Sequence, residues 1–261
     1  MLRELWGHRA YILGGAVREL RQRYAGSGMG LVWHVLTPLA QIVVYFIVFS
    51  RFIGSRAGGV YSAPSYAVYL CAGILPWFVF SECLSRGSTS LLANENYLKK
   101  LAIPEPVFVA QTVATSGLTL IIYTVALGLM AVATGVPVRS TWLLVPVVLT
   151  LFLALGFGLA LILATMTVFF RDIVHVIELV LQIWFWITPV VYDVASLGPG
   201  LREVVEWNPA AAYIRGVRGL LLHSALPDWN QWMWMGGLAL VVPIVGVVVL
   251  YRLRSDLRDA L

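Results

Sequence analysis

Six apolar runs, each about 20 residues or longer, leave this chain few ways to fold: Met29 to Phe52, Tyr66 to Ser85, Val107 to Ala133, Trp142 to Phe169, Val174 to Tyr192 and Trp232 to Tyr251. At 1.5 Å per residue, a helix of each length spans about 30 Å of hydrocarbon. A soluble fold could not bury that surplus, because 60% of the residues are apolar and only 12% are charged, against about 25% charged in ordinary globular domains. The strands of a membrane barrel alternate apolar and polar residues over about ten positions, whereas these runs are continuous. The expected fold is therefore all-α and integral to the membrane, with six transmembrane helices.

An even number of spans places both termini on one side. Of the 18 Lys and Arg residues, twelve then fall on that side and six on the other, so the positive-inside rule puts both termini in the cytoplasm. The first thirty residues carry five arginines and no cleavable signal pattern, which agrees with a cytoplasmic amino terminus. The net charge of +5 reflects this topology, since the basic residues sit between apolar runs and form no continuous stripe for nucleic acid.

Three stretches outside the spans carry information. Leu2 to Tyr24 mixes Leu5, Trp6, Ile12, Leu13, Val17 and Leu20 with Arg9, Arg18, Glu19, Arg21 and Arg23, the pattern of an amphipathic helix in the membrane interface. Leu91 to Pro106 is polar and ends in Pro104-Glu105-Pro106, a short cytoplasmic helix stopped by proline. Asp193 to Gln231 is too long for a turn and too apolar for a solvated loop. Gly198-Pro199, Asn208-Pro209 and Leu226-Pro227 divide it into two short helices, expected to dip into the outer leaflet under cover of protein or water.

Catalytic signatures are missing. No phosphate loop ends in Gly-Lys-Ser/Thr, and Gly26-Ser27-Gly28-Met29-Gly30 lacks the lysine and opens an apolar span. The histidines are scattered, and Cys71 and Cys83 have no second cluster with which to form a metal or disulfide site. Ionisable residues near spans, where function is usually found, are confined to Glu82, Arg86, Arg171, Asp172, His175 and Glu178. Glu82 with Arg86, and His175 with Glu178, are spaced to pair along a helix. A carboxylate at the bilayer midplane, which a proton-coupled transporter would place there, is absent from the pattern. Aromatic residues concentrate in the second and fifth runs. Trp142, Trp207, Trp229 and Trp232 fit an interfacial belt, while the deeper rings suit the C–H faces of sugars.

Arg18-Glu-Leu-Arg-Gln-Arg-Tyr-Ala-Gly-Ser-Gly28, Gly30-Leu-Val-Trp33 and Pro38 resemble the start of the first span in the transmembrane subunits of O-antigen and teichoic-acid exporters. Gly73-Ile-Leu-Pro-Trp77, Ser85-Arg86 with Asn94 and Lys99-Lys100, Phe169-Phe-Arg-Asp172, Gln182-Ile-Trp-Phe-Trp186, Thr188-Pro-Val-Val-Tyr192 and Asn208-Pro209 continue the resemblance in the same order. It implies a single type-2 ABC exporter transmembrane domain over residues 1–261, not an enzyme. Residues 1–28 would form the interface helix, 91–103 the coupling helix and 193–231 the periplasmic gate region with its two short helices. It further implies a homodimer in the bacterial inner membrane with two separate ATP-binding subunits. ATP and Mg would be bound by those partners, and this chain would hold no cofactor or metal. The substrate implied is a polysaccharide on a polyprenyl pyrophosphate lipid, such as O antigen; a capsule polysaccharide exporter and a membrane enzyme acting on lipid-linked glycans remain as alternatives.

Site expectations follow. Asn94, Glu95, Tyr97, Lys99 and Lys100 are expected to couple to the ATPase. Arg21, Arg23 and Arg86 are expected to attract pyrophosphate at the cytoplasmic entrance through the guanidinium fork. Tyr45, Phe49, Trp77, Phe80, Trp184, Trp186 and Tyr192 are expected to line the glycan channel, which two copies would close into a ring.

Overall fold

The computed structural model describes residues 1–23, 28–30, 32–33, 36–37, 39–40, 42–44, 47, 63–100, 103–194 and 197–260. Every regular element among them is helical. Two helices, α1 (Leu2–Gly7) and α2 (Arg9–Gln22), lie at the amino terminus, and the described residues between 32 and 47 that belong to the first apolar run are helical. There follow α3 (Ala63–Ala93), α4 (Glu95–Lys100), α5 (Glu105–Ala133), a 3-10 turn (Ser140–Leu144), α6 (Val145–Phe169) and α7 (Ile173–Ile187). The chain ends with α8 (Pro199–Trp207), α9 (Pro209–Arg218), a π-turn (Gly219–His223), α10 (Trp229–Arg252) and α11 (Arg254–Ala260).

Among the described residues, four stretches are long and apolar enough to cross a membrane: Tyr66–Ala93, Glu105–Ala133, Ser140–Phe169 and Trp229–Arg252. The fifth apolar run departs from expectation. Its helix stops at Ile187 after 15 residues, about 22 Å, because Pro189 disfavours a helical residue before it and offers no N–H. Thr188 is accordingly extended, with φ −84° and ψ 136°. The single amphipathic amino-terminal helix is also divided, at His8, into α1 and α2. The two short helices expected after the fifth run are present and begin at the anticipated prolines, Pro199 and Pro209, where a missing N–H costs nothing.

Helix α6 is the centre of the bundle, packed against α3, α5, α9 and α10. Val148, Leu149, Phe152 and Leu155 supply its buried face. Without a hydrophobic drive between helices in lipid, close backbone approach has to come from small residues, and two glycines provide it. A Cβ on Gly158 would collide with Pro243 N and sit 2.5 Å from the backbone carbonyl carbon of Val242 and 2.7 Å from Pro243 Cα, and one on Gly246 would sit 2.6 Å from the carbonyl oxygen of Gly158. The buried hydroxyls of Thr112, Thr115, Ser116 and Thr119 each bond a carbonyl one turn back in α5, the usual way a helix satisfies such groups.

The chain ends meet. Tyr251 of α10 donates to Glu4 of α1. Glu105, buried at the start of α5, faces Arg254 Nη2 at 3.0 Å and Arg258 Nε at 2.8 Å. Both termini and α4 therefore lie at one end of the bundle, and α8, α9 and the π-turn lie at the other. The flank of α7 that carries Val176, Leu179, Val180, Ile183 and Trp186 is exposed and apolar, a surface that needs lipid or another chain to cover it.

Candidate functional site

An aromatic groove of about 350 Å³ runs between α3 and α7, lined by Trp77, Phe78, Ser81, Leu181, Gln182, Phe185 and Trp186. Trp186 is 55% exposed, whereas Trp77 is nearly buried in the groove's floor. The ring of Trp77 meets Trp184 and Phe185 edge-on at 5.9 and 6.0 Å. Phe80, 2% exposed, stacks on Phe152 at 4.4 Å, and Phe152 stacks on Tyr213 at 4.8 Å. The aromatic set anticipated from sequence is thus divided. Trp77 and Trp186 reach the groove, while Phe80 and Trp184 pack beneath it. Tyr192 donates its hydroxyl to the carbonyls of Trp186 and Ile187, both at 3.1 Å, which closes the last turn of α7. Tyr45 and Phe49 lie outside the described residues.

Below the groove, Asn208 joins the end of α7 to the start of α9. Its Oδ1 caps α9 by accepting from the Ala210 amide at 3.0 Å and also accepts from Trp184 Nε1 at 2.9 Å. Its Nδ2 donates to Thr188 Oγ1 at 2.9 Å. The Trp, Thr-Pro and Asn-Pro motifs, distant in sequence, are therefore one hydrogen-bonded joint.

A second joint is built on Arg218, which is buried. Its Nε donates to the Tyr69 carbonyl at 3.1 Å, and Nη1 donates to the Tyr69 hydroxyl at 2.9 Å and the Pro189 carbonyl at 2.6 Å. Nη2 donates to the Val190 carbonyl. The guanidinium also lies 3.6 Å from the centre of the Tyr69 ring, a cation–π distance. One arginine so fastens α3, α9 and the break after α7, and the rigid fork suits it to several acceptors at once.

At the end bearing the termini, α2 lies along α3 and α5. Glu19 accepts from Arg86, from Arg23 at 3.5 Å and from Thr115 at 3.1 Å, and Glu82 accepts from Arg23. The pair expected within α3, Glu82 with Arg86, is only marginal at 4.0 Å. Helix α2 brings carboxylates and guanidiniums closer across the interface than one turn of α3 does. Beside this network opens a polar cavity of about 620 Å³, walled by Arg18, Glu19 and Gln22 of α2, Arg86, Thr89 and Ser90 of α3, Gln111 of α5, and Asn94 and Tyr97 at α4. Arg86 reaches this cavity, Arg23 is held behind it, and Arg21 is exposed on α2.

Helix α4 presents Tyr97, Lys99 and Lys100 outward. Lys99 donates to Glu95 one turn earlier, and Asn94 holds the Ser90 carbonyl at 2.8 Å where α3 ends. His175 and Glu178 are exposed on α7. Among the described residues no group of three His, Cys, Asp or Glu is placed to hold a metal, and Cys71 and Cys83 are buried free thiols.

Glu19, Glu105, Gly73 and Arg218 carry no site role in the sequence pattern. For Arg218 a signal exists: a lone arginine in the apolar stretch Val217 to Leu222 must either snorkel or be bonded in full.

The model of the ABC-2 type transporter family matches residues 15–222. The chain is 26% identical over 246 residues to the O-antigen export system permease protein RfbA of Myxococcus xanthus, covering 93% of this chain and 92% of that protein. It is 24% identical to the RfbA of Klebsiella pneumoniae, with coverage of 94% and 92%. The polysialic acid transport protein KpsM of Escherichia coli is 20% identical over 241 residues, with 92% of each chain covered.

Proposed function

The chain belongs to the ABC-2 type transporter family, and we propose that it is the membrane permease subunit of an exporter of lipid-linked polysaccharide such as O antigen. The observation that carries this reading is the end-to-end match to named O-antigen export permeases. Capsule polysaccharide is the second reading, supported by the lower identity to polysialic acid transport proteins. ATP with Mg would be bound by two separate subunits, and two copies of this chain would form the channel. The whole of residues 1–261 would be one transmembrane domain. It would contain six spans, the first over Met29 to Phe52, with both termini cytoplasmic.

In this reading α4, with Asn94, Glu95, Tyr97, Lys99 and Lys100, docks the ATP-binding subunit. Docking there would be felt by α2, because Glu19 ties α2 to α3 through Arg86. Arg21 and Arg86 meet the lipid pyrophosphate, and Arg23 holds the site together from behind. The glycan moves along the α3–α7 groove past Trp77 and Trp186, with Tyr45 and Phe49 contributed from the first span. Phe80, Trp184 and Tyr192 set the positions of the rings that touch it. A polymer of hydroxyls needs such a wet route, since each unsatisfied hydroxyl costs about 2–7 kcal/mol in an apolar medium. Helices α8 and α9, braced by Asn208 and Arg218, form the outer gate.

Co-expression with the ATP-binding subunit, in cells deleted for this chain and supplied with the lipid-linked polymer, tests the reading. Surface polysaccharide should return with the wild-type permease. It should fall in the Lys99→Glu, Lys100→Glu double variant while membrane insertion is unchanged. Accumulation of polymer inside wild-type cells despite an assembled complex would reject it.

A further inference from the structure

A cavity of about 510 Å³ opens at the end of the bundle opposite the termini, walled by Glu206 of α8, Arg215 of α9, and Asp228, Asn230, Gln231 and Trp234 at the start of α10. Its size falls in the range of small-ligand sites. The fold leaves part of this polar wall unused. Asp228 stands at the N-cap of α10 yet makes no side-chain cap bond, in contrast to Asn208 at α9. Arg215 Nε is buried without a hydrogen-bond partner among the described residues, three positions from Arg218, whose three nitrogens all donate. Gln231 is fixed by donating Nε2 to the Ala212 carbonyl at 2.8 Å, which leaves its oxygen to accept. Trp234 is 39% exposed and is braced edge-on by Trp207 at 6.1 Å.

The chemistry of this wall selects its ligand. It offers donors from Arg215 and Asn230, acceptors from two carboxylates and two amides, and one flat ring. A hydroxyl both donates and accepts, so a saccharide can use both kinds of partner, and its C–H face suits the negative face of an indole. A phosphate only accepts, and it would meet Glu206 and Asp228 as like charges against a single guanidinium. We propose that this cavity is a subsite for a short neutral stretch of carbohydrate, with Trp234 as its stacking platform and Arg215, Asp228, Asn230 and Gln231 as its hydrogen-bonding wall. The proposal rests on the export reading only for the source of the sugar. It places a handhold outside the gate, where an emerging chain is kept from sliding back.

The test uses the permease with its ATP-binding partner in phosphatidylcholine nanodiscs, titrated with neutral trisaccharides of glucose, galactose, mannose and N-acetylglucosamine. Wild type should bind at least one of them saturably. Trp234→Leu should weaken that binding about tenfold, the factor expected for loss of one stacking platform, and Asn230→Ala should weaken it less. Both positions are exposed, so assembly and ATP hydrolysis should be unchanged, and Trp234→Phe should restore most of the affinity. No saturable binding to any trisaccharide, or equal binding by wild type and Trp234→Leu, overturns the subsite. Native mass spectrometry in nanodiscs doped with phosphatidylglycerol supplies the other arm. If the variants lose that lipid and keep trisaccharide affinity, the cavity is a headgroup site and the proposal falls. Export measured in cells is scored separately, so a failed subsite leaves the transport reading standing, and failed export leaves the titration interpretable.

Discussion

The guanidinium of Arg218 fills the space that a side chain on Gly73 would need. A Cβ there would lie 2.5 Å from the Val190 carbonyl oxygen and would collide with Arg218 Nη2. Glycine at 73 thus permits the joint between α3, α9 and the break at Pro189. Gly73→Ala should cost about 1–3 kcal/mol, the usual range for overpacking, read as a lower unfolding temperature of the purified permease. Arg218→Lys, which keeps charge and loses the fork, should also destabilise. In the double variant the two costs should fail to add, because the alanine no longer displaces a bonded guanidinium. Additive losses would mean that the two residues are independent.

The contact of α6 with α10 depends on two absent side chains. Gly158→Val should prevent the helices from closing, since the obstructing atoms are the backbone of Val242 and Pro243 and cannot rotate away. Gly246→Val should act in the same direction against the Gly158 carbonyl. Around Gly128 and Gly236 a methyl group would meet nothing within 4 Å, so alanine there should be neutral or stabilise by up to about 1 kcal/mol. Accumulation of folded protein in the membrane, compared across these four variants, decides the point.

How far the fold is legible in the sequence depends on the range of the forces involved. Apolar length and proline punctuation are local, and they place α3, α5, α6 and α10 and the starts of α8 and α9 close to where they are found. The fifth span is overread because hydropathy continues through Val190 and Val191 while Pro189 ends the helix. Long-range pairing is the part the sequence hides. Glu82 and Arg86 have ideal spacing within one helix, yet their close partners are Arg23, just past the end of α2, and Glu19 on α2, 59 and 67 residues away. Likewise the aromatic residues look alike in sequence, and only packing separates the exposed Trp186 from the stacked Phe80.

The carboxylate of Glu105 holds the carboxyl-terminal helix against the bundle through Arg254 and Arg258. Glu105→Gln removes the charge without changing shape, and amide exchange across 254–260 should then rise while the core of α6 stays protected. The neighbouring contact adds a pH dependence. The Tyr251 hydroxyl is the main cause holding the Glu4 carboxyl below its ordinary range. A carboxyl lowered in the folded state contributes above its ordinary value and loses that contribution as the pH falls through the lowered one. Exchange across 2–7 should therefore increase on acidification, and Tyr251→Phe should reduce the increase, leaving the part due to the amino-terminal amine and Arg254.

The division of the aromatic set gives the test of the proposed glycan route. Trp186 is exposed along the groove, so Trp186→Leu keeps an apolar surface and removes only the flat face. Its unfolding temperature and ATP hydrolysis should match wild type, and exported polysaccharide should fall. Phe80 is stacked on Phe152 inside the bundle, so Phe80→Leu opens a gap in a close-packed core and should cost about 1–3 kcal/mol. Any loss of export there should track the loss of folded protein. Trp184→Phe occupies the middle ground. It keeps a ring against Trp77 and Phe80 but removes the indole N–H from Asn208, so it should loosen the joint between α7 and α9 without clearing the groove. Export normalised to folded permease separates the three. A reduction at Trp186 alone supports a route along the groove. A normal value at Trp186 would place the polymer elsewhere and return this tryptophan to lipid or to the neighbouring copy.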